Sequence, residues 1–343
     1  MGAVPTLVVS DLHLGTRRRH DVLAYREPLE RLLDTLPDVD RLVLLGDVLE
    51  LLERHPQRGL VVAEPVLRAI GATLGRDREV IVVPGNHDRA LVRPWIARMG
   101  ETLEVDSRVP LDATALLARV AEWLRPARVR VHYPGVWLAP AVWATHGHYL
   151  DQHLLPEAAF GVTRGLLGRR PNAEVRPSDY ELSQGSGLSR AEALARRLPA
   201  PLAALAEDVA ELARAATMPR ASLLRRSLAP LHASLLGLQM RRASIPALLH
   251  VVRRLGVEAD WVLFGHVHRL GPLPGDLDAQ WASALGGPRV VNTGSWMYEP
   301  LLVHRARAPH PYWPGGAIWL PDDLDSGPRP VGLLDEVPAA AMH

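Results

Sequence analysis

The sequence predicts an α/β fold, a mostly parallel sheet covered by helices and interrupted by a helical insertion. Three observations predict it. The first 100 residues alternate runs of β-forming residues with runs whose apolar residues recur at helical spacing. Each of the first three β-runs ends in a polar cluster. From 151 to 256 the chain is rich in Ala, Leu and Arg, and β-runs resume only at Asp260.

TLVVS, Thr6 to Ser10, reads as a buried strand. Val22 to Leu36 follows as a helix, with Leu29, Leu32, Leu33 and Leu36 at helical spacing. RLVLL, Arg41 to Leu45, is a second strand. Pro65 to Leu74 reads as a short helix with Val66, Leu67, Ile70 and Leu74 on one face. EVIVV, Glu79 to Val83, is a third strand. Val129 to Tyr133 and Val136 to Thr145 look like strands, and HGHY follows them. DWVLFGHVH, Asp260 to His268, is again a strand running into a polar cluster, while VVNTGSW and LLVHR suggest further strands. Beyond Ala306 the chain is Pro-rich and reads as a loosely structured extension with a few short strands. The expected organisation is an α/β domain of residues 1–150 and 257–305, an insertion at 151–256 and an extension at 306–343. Open α/β sheets build sites at the carboxyl ends of their strands. The clusters SDLH, GDVLE and GNHD should therefore converge.

Composition narrows the chemistry. With 343 residues, 48% of them hydrophobic and 22% charged, the chain suits a soluble globular protein with a sizeable core. A net charge of +1 gives no global pull toward nucleic acid. There is no Cys, so a metal must rest on His, Asp, Glu or Asn. Lys is also absent, and all 39 basic residues are Arg, a pattern we read as genomic base composition. No signal peptide and no apolar run of membrane-spanning length is visible, so a cytoplasmic enzyme is expected.

VIVVPGNHDRA, Val80 to Ala90, poses the chemical question. A plain turn after a buried strand needs the Gly, but not Asn86, His87 and Asp88 together. The other clusters supply Asp11 and His13, Asp47, His146 and His148, and His266 and His268. Carboxylates suit hard divalent cations, and imidazole suits Mn, Fe and Zn. Such a mixture can hold two ions that share one carboxylate and together polarise a phosphoryl group. Taken singly these signals are weak. An Asp-x-His pair is commonplace, and Gly-Asp after a strand is usually a turn; their force lies in occurring together and in order.

DLH, GDVLE, GNHD, HGH and GHVH, in that order, resemble the calcineurin-like metallophosphoesterase superfamily, over about residues 6–150 and 257–300. The resemblance implies a two-sheet αββα sandwich and two divalent metal ions, with Mn foremost and Fe, Zn or Mg compatible. It implies one ion on Asp11, His13, Asp47 and His268, and another on Asp47, Asn86, His146 and His266, with Asp47 bridging. It also implies that His87 contacts the phosphate or protonates the leaving oxygen, and that Asp88 orients His87. Glu50 matches an acidic position of many members, and we give it an orienting or structural role. His148 lies beyond the family's single His, as a hydrogen-bonding or substrate-contact residue or a bystander. DLHLG, GDVLEL, HGHYLD and the late GSW look most similar to the UDP-2,3-diacylglucosamine hydrolase-like branch. This chain has His87 where that branch commonly has Arg, a longer insertion and an extra tail.

The insertion carries eight Arg and no Asp or Glu from Leu212 to Val257. Leu224, Leu228, Leu231, Leu235 and Leu238 form a helical stripe. Ile245, Leu248, Val252 and Leu255 continue it after Pro246, which should kink or restart the helix. One reading is two packed helices with a solvated Arg face. The other is a lid or membrane-surface element facing an anionic partner, with Arg225, Arg226, Arg241 and Arg242 as substrate-binding candidates that clamp a diphosphate or lipid headgroup. The function expected is hydrolysis of a phosphate ester or anhydride through a hydroxide held by two metals, on a phosphorylated small-molecule, nucleotide diphosphate or lipid-linked substrate, in the cytoplasm or at the inner face of the membrane. A nuclease or cyclic-nucleotide phosphodiesterase ranks lower, because stacking aromatics are almost missing between Gly165 and Val257. A non-catalytic scaffold of the same fold should have lost ligands, and every ligand position here is filled.

Overall fold

The computed structural model describes residues 4–16, 20–53, 56–153, 175–183, 234, 240–282 and 286–342. Strands β1 (Thr6–Val9), β2 (Arg41–Leu44), β3 (Glu79–Val82) and β5 (Arg128–Tyr133) lie parallel, in register Val8↔Val43↔Ile81↔Arg130. Buried on both faces, the first three read as continuous apolar runs. β4 (Ser107–Val109) closes one edge antiparallel to β5. On the other side β11 (Gly316–Leu320) and β12 (Arg329–Gly332) complete a seven-stranded sheet of order β12-β11-β1-β2-β3-β5-β4. The second sheet has five strands: β6 (Gly135–Ala139), β7 (Val142–Thr145), β8 (Trp261–Phe264), β9 (Leu270–Gly271) and β10 (Arg289–Thr293), in the order β6-β7-β8-β10-β9.

Alternation along each strand sorts side chains between the layers. Val8, Val43 and Ile81 of the first sheet meet Val136, Leu138, Ala144, Leu263 and Val291 of the second in one buried cluster. Leu7, Leu42 and Val80 face the other way. They pack with Leu32 of α1 (Arg26–Thr35), Leu67 and Ile70 of α2 (Pro56–Leu74), and Leu117 and Val120 of α4 (Ala115–Trp123); the short α3 (Arg93–Met99) adds Trp95 and Ile96. The far face of the second sheet is covered by α6 (Ile245–Arg254), whose Ile245, Leu248 and Val252 join Trp143, Val262 and Phe264. The short α5 (Pro177–Ser183) lies at the edge, with Tyr180 stacked on Tyr149 at a ring distance of 4.8 Å. The αββα sandwich is therefore present.

Four sequence expectations change. α2 begins at Pro56, and Pro65 sits inside it. Leu60 and Ala63, ahead of Pro65, are buried in the same cluster as Leu67 and Ile70, and this burial offsets a proline cost of about 3 kcal/mol. LLVHR is not a strand: Pro300–Val303 forms a short helix, α7, whose Leu301 amide donates to the Glu299 side chain. The segment 306–343 is no appendage, because β11 pairs with β1 and places Ile318 and Leu320 in the core between the sheets. Residues 240–256, counted with the insertion, supply the outer layer of the second sheet; a π-helical turn, Met240–Ser244, leads into α6, and Pro246 lies in its first turn. The leucine stripe Leu224 to Leu238, with Arg225 and Arg226, lies outside the described residues. Among the described residues no helix is long and apolar enough to cross a membrane.

Candidate metal centre

The polar clusters meet at the carboxyl ends of β1, β2 and β3 in one sheet and β7 and β8 in the other. Among the described residues six non-glycine positions have positive φ. Five are site residues: Asp11 (54°), His13 (43°), Asp47 (51°), His266 (68°) and His268 (56°). Left-handed backbone is costly outside Gly, and its concentration here marks a place where geometry outweighs strain. Backbone bonds hold it: the Asp11 amide donates to the Gly46 carbonyl at 3.0 Å, and the His13 amide to the Asp47 carbonyl at 2.8 Å. Two glycines allow the close approach. A Cβ on Gly85 would collide with Asp47 and His146, and one on Gly265 with Ser10 and Asp11.

Two groups of donors result. In the first, His13 Nε2 and His268 Nε2 lie 3.3 Å apart. Asp11 Oδ1 lies 3.1 Å from the latter, and Asp47 Oδ2 lies 3.8 Å from the former. In the second, His146 Nε2 lies 3.1 Å from Asp47 Oδ2 and 3.2 Å from Asn86 Oδ1. His266 joins Asp47 and His146 in a set whose donor atoms are within 4.8 Å of one another. The tautomers follow from the far nitrogens. His146 Nδ1 donates to the Leu45 carbonyl (3.0 Å) and His13 Nδ1 to Glu50 (3.3 Å), so each Nε2 faces inward and would give its lone pair to a cation in place of a proton. Asp11 Oδ1 is fully buried with His268 Nε2 beside it, while its other oxygen accepts from the His266 amide at 3.0 Å. Converging imidazole nitrogens and buried carboxylate oxygens are what a divalent cation would satisfy, and this O/N donor set fits one.

The carboxylates are held ionised. Burial opposes charge on Asp11, yet the imidazoles of His268 and His146 bring it down to about 2. Burial is likewise outweighed at Asp47, which lies well below the usual carboxylate range beside His146 and His87. Glu50 falls to about 2 against its burial through the hydrogen bonds of His13 and His87. Conversely, burial would lower His146 and His87, but Asp47 pushes His146 up to about 10, and Asp47 with Glu50 pushes His87 up to about 9.

The expectation for Asp88 is overturned. Its buried carboxylate accepts from the amides of Gly85 (2.7 Å) and Val48 (2.8 Å) and so ties the loop after β3 to the loop after β2. Burial and the charge of Asp47 raise it to about 6. The group on His87 is Glu50, whose Oε2 lies 2.6 Å from Nδ1. His148 is buried, 3.3 Å from the Tyr133 hydroxyl, and both burial and His146 hold it well below the usual histidine range. Tyr133, Tyr149 and Arg89 all converge on Glu181 of α5, a buried network with no motif to announce it. Arg242 is exposed in the π-helical turn. The side chain of Arg241, like Arg225 and Arg226, lies outside the described residues.

None of the curated proteins matches the chain. The calcineurin-like phosphoesterase family model matches residues 4–176, which include every donor from Asp11 to His146, and β8 beside β7 brings in His266 and His268 from beyond that span. The chain belongs to the calcineurin-like phosphoesterase family, metal-dependent hydrolases of phosphate esters.

Proposed function

We propose that the chain hydrolyses a phosphate ester or anhydride with two divalent ions, one on Asp11, His13, His268 and Asp47, the other on Asp47, Asn86, His146 and His266. The observation that carries this reading is Asp47: one oxygen, Oδ2, faces His13 and His146, the inward nitrogens of both donor groups. Divalent ions supply Lewis-acid polarisation of the phosphoryl oxygens and acidify water at neutral pH. Mn is the ion we propose, on the mixed carboxylate and imidazole donors. His87 holds the proton that the departing oxygen needs. Glu50 aims its ring by taking Nδ1, and the Asp47 Oδ1 atom accepts from the His87 amide at 2.8 Å.

For the substrate we propose a lipid-linked or nucleotide diphosphate. The motif likeness and the acid-free Arg-rich segment from Leu212 to Val257 support it, with an anionic bilayer as the surface on which it would be met. A panel of phosphomonoesters, phosphodiesters, nucleotide diphosphates and lipid-linked diphosphates tests the class. Asp47→Asn tests the centre: turnover of an aryl phosphodiester should vanish together with bound metal, while the fold survives. Two metals per chain with near-normal turnover in that variant would overturn the assignment.

A further inference from the structure

Three of the four candidate metal-binding imidazoles have their second nitrogen engaged by an oxygen. His13 Nδ1 meets Glu50 at 3.3 Å, His146 Nδ1 meets the Leu45 carbonyl at 3.0 Å, and His266 Nε2 meets Asp151 at 2.9 Å. The first two acceptors are buried in the sandwich. The third is different in kind: the Asp151 side chain is 48% exposed, in the short 3-10 turn His148–His153 that leaves the second sheet just past His146.

Asp151 is not part of the donor group. The atoms of Asp47, His146 and His266 that lie within 4.8 Å of one another include none from Asp151. Its carboxylate instead occupies the place from which a histidine ligand is oriented. A carboxylate that accepts from one ring N–H fixes the tautomer, stops the ring from turning and makes the opposite nitrogen more basic. The backbone of His266 is already fixed, with φ at 68° and its amide on Asp11. What remains free is the ring, and Asp151 is its hydrogen-bond partner.

We infer that Asp151 is the positioning residue of the second cation site, holding the proton on His266 Nε2 so that Nδ1 presents its lone pair beside Asp47 and His146. The inference rests on the two-ion reading above and goes beyond it. One ion is oriented from within the buried core, the other partly from an exposed carboxylate at the root of the segment that begins at 154. The two sites then differ in how easily their affinity is changed without disturbing the fold.

The test is calorimetric titration of the chelator-treated full chain with Mn²⁺. The unsubstituted protein should show two binding events. Asp151→Ala removes no buried packing and should weaken one event about 10- to 100-fold while sparing the other. Asp151→Asn keeps a carbonyl acceptor and should restore most of the loss. Turnover of the Ala variant should fall at limiting Mn²⁺ and recover at saturating Mn²⁺. Unchanged affinity at both sites, or equal weakening of both, would overturn the inference. Fewer than two events in the unsubstituted protein would overturn the two-ion reading itself, and is read first.

Discussion

Two carboxylates from the loop after β2 hold His87 by different atoms. Asp47 accepts from its amide, and Glu50 takes its Nδ1 while also meeting His13 Nδ1. These contacts fit the proton-carrying role proposed for His87, although the donor set His13, Asp47 and His87 is also compact enough to hold an ion. The two roles separate on substitution. His87→Asn should lower kcat about 10²- to 10⁴-fold, the usual worth of a positioned acid, with metal content unchanged. The loss should shrink for an aryl leaving group of low pKa, which departs without a proton. Metal content by elemental analysis and kcat across a leaving-group series check this; metal lost in step with activity would make His87 a ligand. Sequence adjacency misled for Asp88 because neighbouring residues in the turn after β3 point apart, and Asp88 turns back to the amides of Gly85 and Val48. Glu50 was visible as an acid three places after Asp47, but its two imidazole partners come from different loops, and no local pattern encodes that meeting.

At the scale of elements, the parallel strands were legible because burial on both faces leaves a continuous apolar run, as in LVV, LVL and VIV. β11 was not. Its five residues, GAIWL, sit in a Pro-rich stretch, and their partner β1 lies some 300 residues earlier, so only the sheet itself reveals the pairing of Val8 with Ile318. Pro65 misled in the opposite way, since tertiary burial carried α2 through a residue that usually ends a helix. α5 showed no signal beyond one Tyr and one Glu, and its meaning appears only where Glu181 meets Tyr133, Tyr149 and Arg89. If β11 is integral, Ile318→Ala should destabilise the protein by about 2–5 kcal/mol, the range for a fully buried aliphatic side chain. Urea unfolding measures it. A loss below about 0.5 kcal/mol, within the range of surface substitutions, would return the segment to the status of an appendage.

Across the whole molecule, the centre is the seam between the sheets. Asp11 follows a strand of the first sheet and accepts from the amide of His266, which follows a strand of the second. Ser10 and Thr293 make a further hydroxyl contact across the same seam. The seam therefore carries ionised Asp11 and Asp47, and the charge of each works against the other: Asp47 is among the causes that raise Asp11. Imidazole protons balance this charge among the protein's own groups, and divalent ions would balance it more strongly while drawing donors from both sheets together. An ion that binds only the folded chain adds RT ln(1 + [L]/Kd), about 2.7 kcal/mol at a hundredfold excess over Kd. Mn²⁺ should accordingly raise the melting temperature of the chelator-treated protein, and excess chelator should reverse the gain. Asp47→Asn should abolish the increment because it removes the carboxylate common to both donor groups. Ile318→Ala should melt earlier yet keep the increment, since its side chain packs in the apolar cluster between the sheets. Scanning calorimetry of the three proteins with and without Mn²⁺ separates these cases. Identical melting of the unsubstituted protein with Mn²⁺ and with chelator would show that the sheets are joined by packing alone, and that the ions do not fasten the seam.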